Sequence, residues 1–157
     1  MSDSPLNHDR AMELALTEAG LAIDHGDVPI GAIVLHNGVP IASRHNEREL
    51  NGDPTAHAEI LALRDAAQHL DSWRLSGCTL VVTLEPCPMC AGAALASRLD
   101  RVVFGAADMK AGALGSLMHL GCDPRFNHEY DVVAGVRSEE CAELLSSFFA
   151  QLRQASK

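Results

Sequence analysis

The chain has 157 residues, 47% of them hydrophobic, and its 21 acidic against 12 basic side chains give a formal charge of −9. No stretch approaches the roughly 18 apolar residues that a membrane span needs, and five cysteines, an odd number, fit a reducing compartment better than a disulfide scaffold. The opening Met1–Pro5 carries neither a basic segment nor an apolar run, so the sequence predicts one soluble, cytosolic domain over residues 1–157, with its core over about 9–153.

Asn7 is placed to cap a helix running to about Asp24, with Met12, Leu16, Ala19 and Ile23 forming a core-facing stripe at spacings of three and four. Pro29–Leu35 reads as a strand, Asn37-Gly38 as a tight hairpin turn, and Val39–Ser43 as the returning strand. Asp53-Pro54-Thr55 then introduces a helix to about Leu70, which puts His57 and Glu59 in its first turn. Thr79–Leu84 is a nearly continuous apolar run of the buried-strand kind, leading into Pro86-Cys87 and a helix to about Arg98. Arg101–Gly105 and Asp131–Gly135 read as further strands, and Ser138 as the cap of a last helix whose core face carries Leu144, Leu145, Phe148, Phe149 and Leu152. Strands alternating with helices imply an α/β sheet covered on both faces, with ligands at the carboxyl ends of strands.

Chemistry concentrates in His57-Ala58-Glu59 and Pro86-Cys87-Pro88-Met89-Cys90. Cysteines at i and i+3 on a first helical turn share one face, so both sulfurs can reach one metal. Pro88 suits the first helical position because its missing N–H would have no intrahelical partner. With His57 the set gives three protein ligands, a Cys₂His group that leaves one tetrahedral position open, as catalytic zinc requires. A redox Cys-x-x-C pair and a structural zinc site are the competing readings. The His-x-Glu weighs against the first, and the lack of a paired fourth ligand against the second. Cys78, Cys122 and Cys141 read as buried small hydrophobes.

The His-x-Glu and Pro-Cys-x-x-Cys pair is a known signature of zinc nucleobase deaminases, so it recognises the chemistry rather than deriving it. Over about Asp9–Arg153 the chain resembles the bacterial tRNA-specific adenosine deaminases of the cytidine deaminase superfamily. That resemblance rests on Val28–Ala32, Asn46, Asp53–Ile60, Thr83–Gly92, Val103–Ala106, Asp108, Lys110, Gly112 and Gly115-Ser116-Leu117, with Asn127-His128 and Leu144–Phe149. It implies a three-layer α/β/α cytidine deaminase-like fold around a five-stranded mixed sheet, a homodimer, one zinc per chain, and conversion of adenosine to inosine at the anticodon wobble position. It further implies that Asn46 hydrogen-bonds the target nucleoside, that the backbone at Ala58 contacts the base, and that Asp108 holds the ribose or its neighbour. Pro29, Pro86 and Phe149 are placed beside the substrate on the same footing.

Zinc lowers the pKa of its water towards about 7, and Glu59, adjacent yet not needed as a ligand, is the group to accept that proton and pass it to the base. The acidic balance pulls against an RNA substrate, since phosphate contacts draw on Lys and Arg. Arg44, Arg48, Arg64, Arg74, Lys110, Arg125 and Arg153 are the basic residues whose clustering would offset it. A deaminase of a free base or nucleoside, of guanine or cytosine type, is the alternative enzyme. A catalytically silent zinc-binding partner subunit is a third reading, which the intact Glu59 opposes.

Overall fold

The computed structural model describes residues 4–156; the sequence reading of Met1–Asp3 falls outside them. Asn7 accepts from the Arg10 N–H at 2.8 Å and so starts α1, His8–Gly20, as predicted. The helix then tightens into a 3₁₀ segment, Leu21–His25, which leaves Ile23 exposed and outside the stripe assigned to it. Strand β1 is Gly31–His36 and β2 is Val39–His45. Between them Asn37 and Gly38 both take positive φ, 51° and 83°, the conformation a two-residue hairpin turn demands.

A short helix the sequence did not announce, α2 (Arg48–Asn51), precedes α3 (Ala58–Leu70). Strand β3 (Cys78–Leu84) runs into α4 (Pro88–Ala96), which stops two residues before the predicted Arg98 because Arg98 itself takes φ 60°. Strand β4 is Arg101–Ala106, β5 is Asp131–Val133, and α5 is Ser138–Ala155. Ser138 is not the cap: Arg137 holds that position with φ 52° and makes no side-chain capping bond.

The five strands order as β2-β1-β3-β4-β5, antiparallel from β2 through β1 to β3 and parallel from β3 to β5. Pleating sends alternate side chains to opposite faces. Ala32, Val34, Leu80, Val82, Val102 and Phe104 pack against α3 and α4, whereas Ile33, Leu35, Val81 and Val103 pack against α1 and α5. The result is three layers. Because β3 and β4 are parallel while β1 is antiparallel to β3, the ends of β2, β3 and β4 and the start of β1 lie along one sheet edge. Segments 46–58, 85–90 and 107–117 all leave from that edge.

Some of the predicted core lies outside it. Phe149 is 41% exposed, Leu152 54% and Phe148 half-buried, so the last helix packs mainly through its first half, where Cys141 is buried. Cys122 is exposed, whereas Cys78 and Cys141 are buried as expected.

Helix α1 lies directly on Gly31. A Cβ built there would stand 2.0 Å from the Ala15 carbonyl oxygen and 2.7 Å from the Ala19 nitrogen, both backbone atoms that cannot rotate away. Gly31→Ala is therefore expected to lower unfolding free energy by about 3 kcal/mol through overpacking. Urea denaturation checks this, and a loss below about 1 kcal/mol counts against close helix–strand contact as the reason for glycine.

Candidate metal centre and substrate face

Two helix starts converge at the sheet edge. His57 sits at the cap position of α3 and Cys87 at that of α4. The His57 Nδ1 lies 3.7 Å from Cys87 Sγ and 3.5 Å from Cys90 Sγ, and the three ligand-type atoms all fall within 4.8 Å of one another. Among the described residues this is the group in which three ligand-type side chains come that close together. Hydrogen bonds from Cys90 and then His57 pull the Cys87 thiol down to about 4 despite its burial. The bond to Cys87, together with burial, pushes Cys90 the other way. Two sulfurs and a ring nitrogen at these distances are the donor set of a thiolate-binding dication.

Glu59, in the first turn of α3, is 4% exposed, and burial pushes its carboxyl above the ordinary range. Beside it Asn46, 5% exposed, ties three segments together. Its Oδ1 accepts from the Ala58 N–H at 2.9 Å, satisfying one of the free donors at the start of α3, and its Nδ2 donates to the Val28 carbonyl at 3.1 Å. Pro29, Ala58 and Pro86 are buried around this point.

A metal-ready His-Cys-Cys group beside a buried carboxyl agrees with what comparison finds. Residues 6–153 match the MafB19-like deaminase family. The chain is 52% identical to a tRNA-specific adenosine deaminase of Bacillus subtilis (strain 168), over 93% of this chain and 91% of that one. It is 45% identical to one of Haemophilus influenzae (strain Rd), covering 95% and 87%. The chain belongs to the tRNA-specific adenosine deaminase family. A solved structure from a study of A-to-I editing by tRNA:A34 deaminases superposes with TM-score 0.83 at 43% identity, covering 87% of this chain and 99% of that one. A guanine deaminase from Nitrosomonas europaea superposes with TM-score 0.78 at 28% identity, covering 94% and 87%.

Segment 107–117 follows β4 and bonds to the chain just before Cys87; it has almost no regular structure yet is ordered by one buried side chain. Glu85, 3% exposed, accepts from the N–H groups of Asp108 at 3.0 Å, Leu114 at 3.0 Å and Ser116 at 3.1 Å, and from the Ser116 hydroxyl. Burial alone would raise its carboxyl, but these bonds outweigh it and hold the group below the ordinary range. Gly112 rides directly over the carboxylate, where a Cβ would come within 2.4 Å of Glu85 Cδ. Asp108 turns inward on its own segment: its Oδ1 accepts from the N–H groups of Lys110 and Ala111.

The basic residues are only partly gathered. Arg44 is paired with Glu47 and Asp65, and Arg125 with Asp123. Lys110 and Arg153, however, line one cavity of about 380 Å³ with Leu145, Ser146 and Phe149. Phe149, itself exposed, thus shares one cavity with two cations, a combination suited to a nucleobase and its phosphate.

Sequence reasoning missed Glu85 and Asp27 as organisers. A carboxylate ending an apolar strand was the available cue for the first. The second, 2% exposed, caps α2 by accepting from the Glu49 and Leu50 N–H groups, 22 and 23 residues away in sequence.

Glu85→Gln removes the charge and presents an NH₂ where an acceptor is needed, so it should cost about 2 kcal/mol at neutral pH. Because the folded-state pKa of Glu85 is depressed, its stabilisation is fully present above the ordinary value of 4.5 and is lost as pH falls through the lower folded value. The stability gap between wild type and variant should therefore shrink below that pH. A gap constant from neutral pH into the acid range would show that the ionised carboxylate is not what orders the segment.

Proposed function

We propose that this protein hydrolytically deaminates adenosine to inosine at the wobble position of a tRNA anticodon, using one zinc ion held by His57, Cys87 and Cys90. The observation that carries the reading is the His-Cys-Cys group within 4.8 Å beside buried Glu59, in a chain 52% identical to a tRNA-specific adenosine deaminase. Bound there, zinc would supply the Lewis acidity that lets water lose a proton near neutral pH. Glu59, desolvated and inclined to hold a proton, takes that proton, hands it to N1 of adenine as water oxygen adds at C6, and then assists the departure of ammonia.

Asn46 positions the nucleoside. Its two observed bonds leave one amide hydrogen and one carbonyl lone pair for the substrate. The Ala58 N–H is already engaged by Asn46, so Ala58, with Pro29 and Pro86, shapes the buried wall against which the base rests. Asp108 uses one oxygen on its own segment and offers the other to a ribose hydroxyl. Phe149 stacks on a flanking base between Lys110 and Arg153.

The same reading makes the protein a homodimer. An apolar groove of about 390 Å³ between α3 and α4, lined by Ile60, Leu63, Ala67, Trp73 and Ala93, supplies a face that a second copy would cover. No helix is long and apolar enough to cross a membrane among the described residues, and a tRNA substrate places the reaction in the cytosol.

Purified protein should hold one zinc per chain, and Cys87→Ala should lose it; elemental analysis reads both. Glu59→Gln should keep the zinc and lose deamination by about 10³-fold, since the amide is nearly isosteric but cannot carry a proton. Retention of zinc with more than about a tenth of the rate would remove Glu59 from the proton path.

The charge of −9 and the likeness to a guanine deaminase keep a free-base substrate in contention. An anticodon stem-loop with adenosine at its first anticodon position should be converted to inosine far faster than free adenosine, because contacts to flanking nucleotides orient the target. Digestion and chromatography read the product. If the stem-loop is inert while free guanine or cytosine is turned over, the free-base reading replaces the tRNA one.

A further inference from the structure

A second titratable cluster, built from residues outside the deaminase motifs, joins the end of the 3₁₀ segment to the end of β2. His25 Nδ1 lies 2.7 Å from Asp27 Oδ2, His45 Nδ1 lies 3.0 Å from Glu18 Oε1, and the two Nε2 atoms face each other at 3.1 Å. The rings are tilted by 32° with centroids 5.2 Å apart. Both histidines are 16–17% exposed, as is Glu18, whereas Asp27 is 2% exposed.

The tautomers follow from the acceptors. A carboxylate can only accept, so each Nδ1 carries a hydrogen and each Nε2 presents a lone pair when its ring is neutral. Asp27 is held ionised because the bonds from Glu49, Leu50 and His25 outweigh its burial. Two lone pairs opposed at 3.1 Å repel unless a positive centre joins them. A dication between the two Nε2 atoms would join them, with the Asp27 and Glu18 carboxyl groups behind the rings.

We propose that His25 and His45 form a second metal site, distinct from His57-Cys87-Cys90, for an imidazole-binding transition-metal dication of the nickel, copper or zinc class. Each ligating ring already donates its other N–H to a carboxylate, the outer-shell arrangement that fixes orientation and raises basicity in histidine metal sites. Metal–nitrogen bonds of about 2.0–2.1 Å bridge the observed separation at a nitrogen–metal–nitrogen angle of about 100°, within tetrahedral or octahedral range. Water fills the remaining positions from the solvent side. Binding forms two metal–nitrogen bonds at the Nε2 lone pairs, and nothing is oxidised or reduced. The site's place in the fold matters because His45 precedes Asn46, and Asp27 also caps α2. An ion here would clamp α1 and the 3₁₀ segment to the strand that delivers Asn46.

The test titrates untagged, zinc-loaded protein with Ni²⁺ by calorimetry. Wild type should take up one nickel per chain without releasing zinc. His25→Gln and His45→Gln should each abolish the uptake. Glu18→Gln, which keeps both ligands, should weaken it about tenfold or more. Retained zinc in every variant certifies the fold, and if either histidine variant fails to fold, Glu18→Gln decides alone. No nickel uptake by wild type overturns the proposal. So does nickel that displaces zinc one for one, uptake that persists in both histidine variants, or an affinity unchanged by Glu18→Gln.

Discussion

The first backbone N–H groups of an α-helix have no partner within the helix, and their summed dipole favours negative charge. In this protein two such helix starts are brought to one point, α3 at His57 and α4 at Cys87, and neither has a side-chain cap of the usual kind. The site is built from what fills that need. The carbonyl oxygen of Asn46 takes the Ala58 N–H, and the Cys87 sulfur takes the N–H of Cys90. The thiolate, the polar amide and the buried carboxyl of Glu59 are thus placed by backbone demands that the sheet imposes. They acquire a chemical use because three ligand-type atoms end up within reach of one ion.

How much of this could be read from the sequence depended on the range of the interaction. The hairpin turn at Asn37-Gly38, the Asn7 cap and the two motifs at helix starts are local, and their residue types carry the signal within a few positions. The fold class followed from the alternation of such elements. Boundaries failed where one residue's backbone conformation decided: Arg98 and Arg137, both at positive φ, ended α4 early and displaced Ser138 from the cap of α5. The stripe on α1 and the aromatic pair on α5 failed for a different reason. Periodicity says which residues share a face, not whether anything covers it, and Ile23, Phe149 and Leu152 remain outside the core.

Long-range polar contacts were the least visible. Glu85 gathers groups 23 to 31 residues away, and Asp27 reaches forward by 22 and 23. No spacing rule links such positions. The same limit applies to charge: a formal −9 says little about where the few cations lie, and Lys110 and Arg153 meet beside Phe149 only because a loop and a helix from different parts of the chain share that face. Substrate preference in a chain of this charge is a matter of local placement rather than composition.

Three of the four bonds that Glu85 receives come from main-chain N–H groups, those of Asp108, Leu114 and Ser116. Every residue except proline supplies such a donor. The contour of the segment is thereby separated from the identity of most of its side chains: Met109, Lys110 and Ala111 are free to change without disturbing the template, whereas Gly112 is not, because any side chain there would strike the carboxylate. A surface built in this way can change its exposed side chains one residue at a time while the fold behind it stays as it is. The tolerance of this segment to substitution therefore resides in a buried charge that scarcely touches solvent.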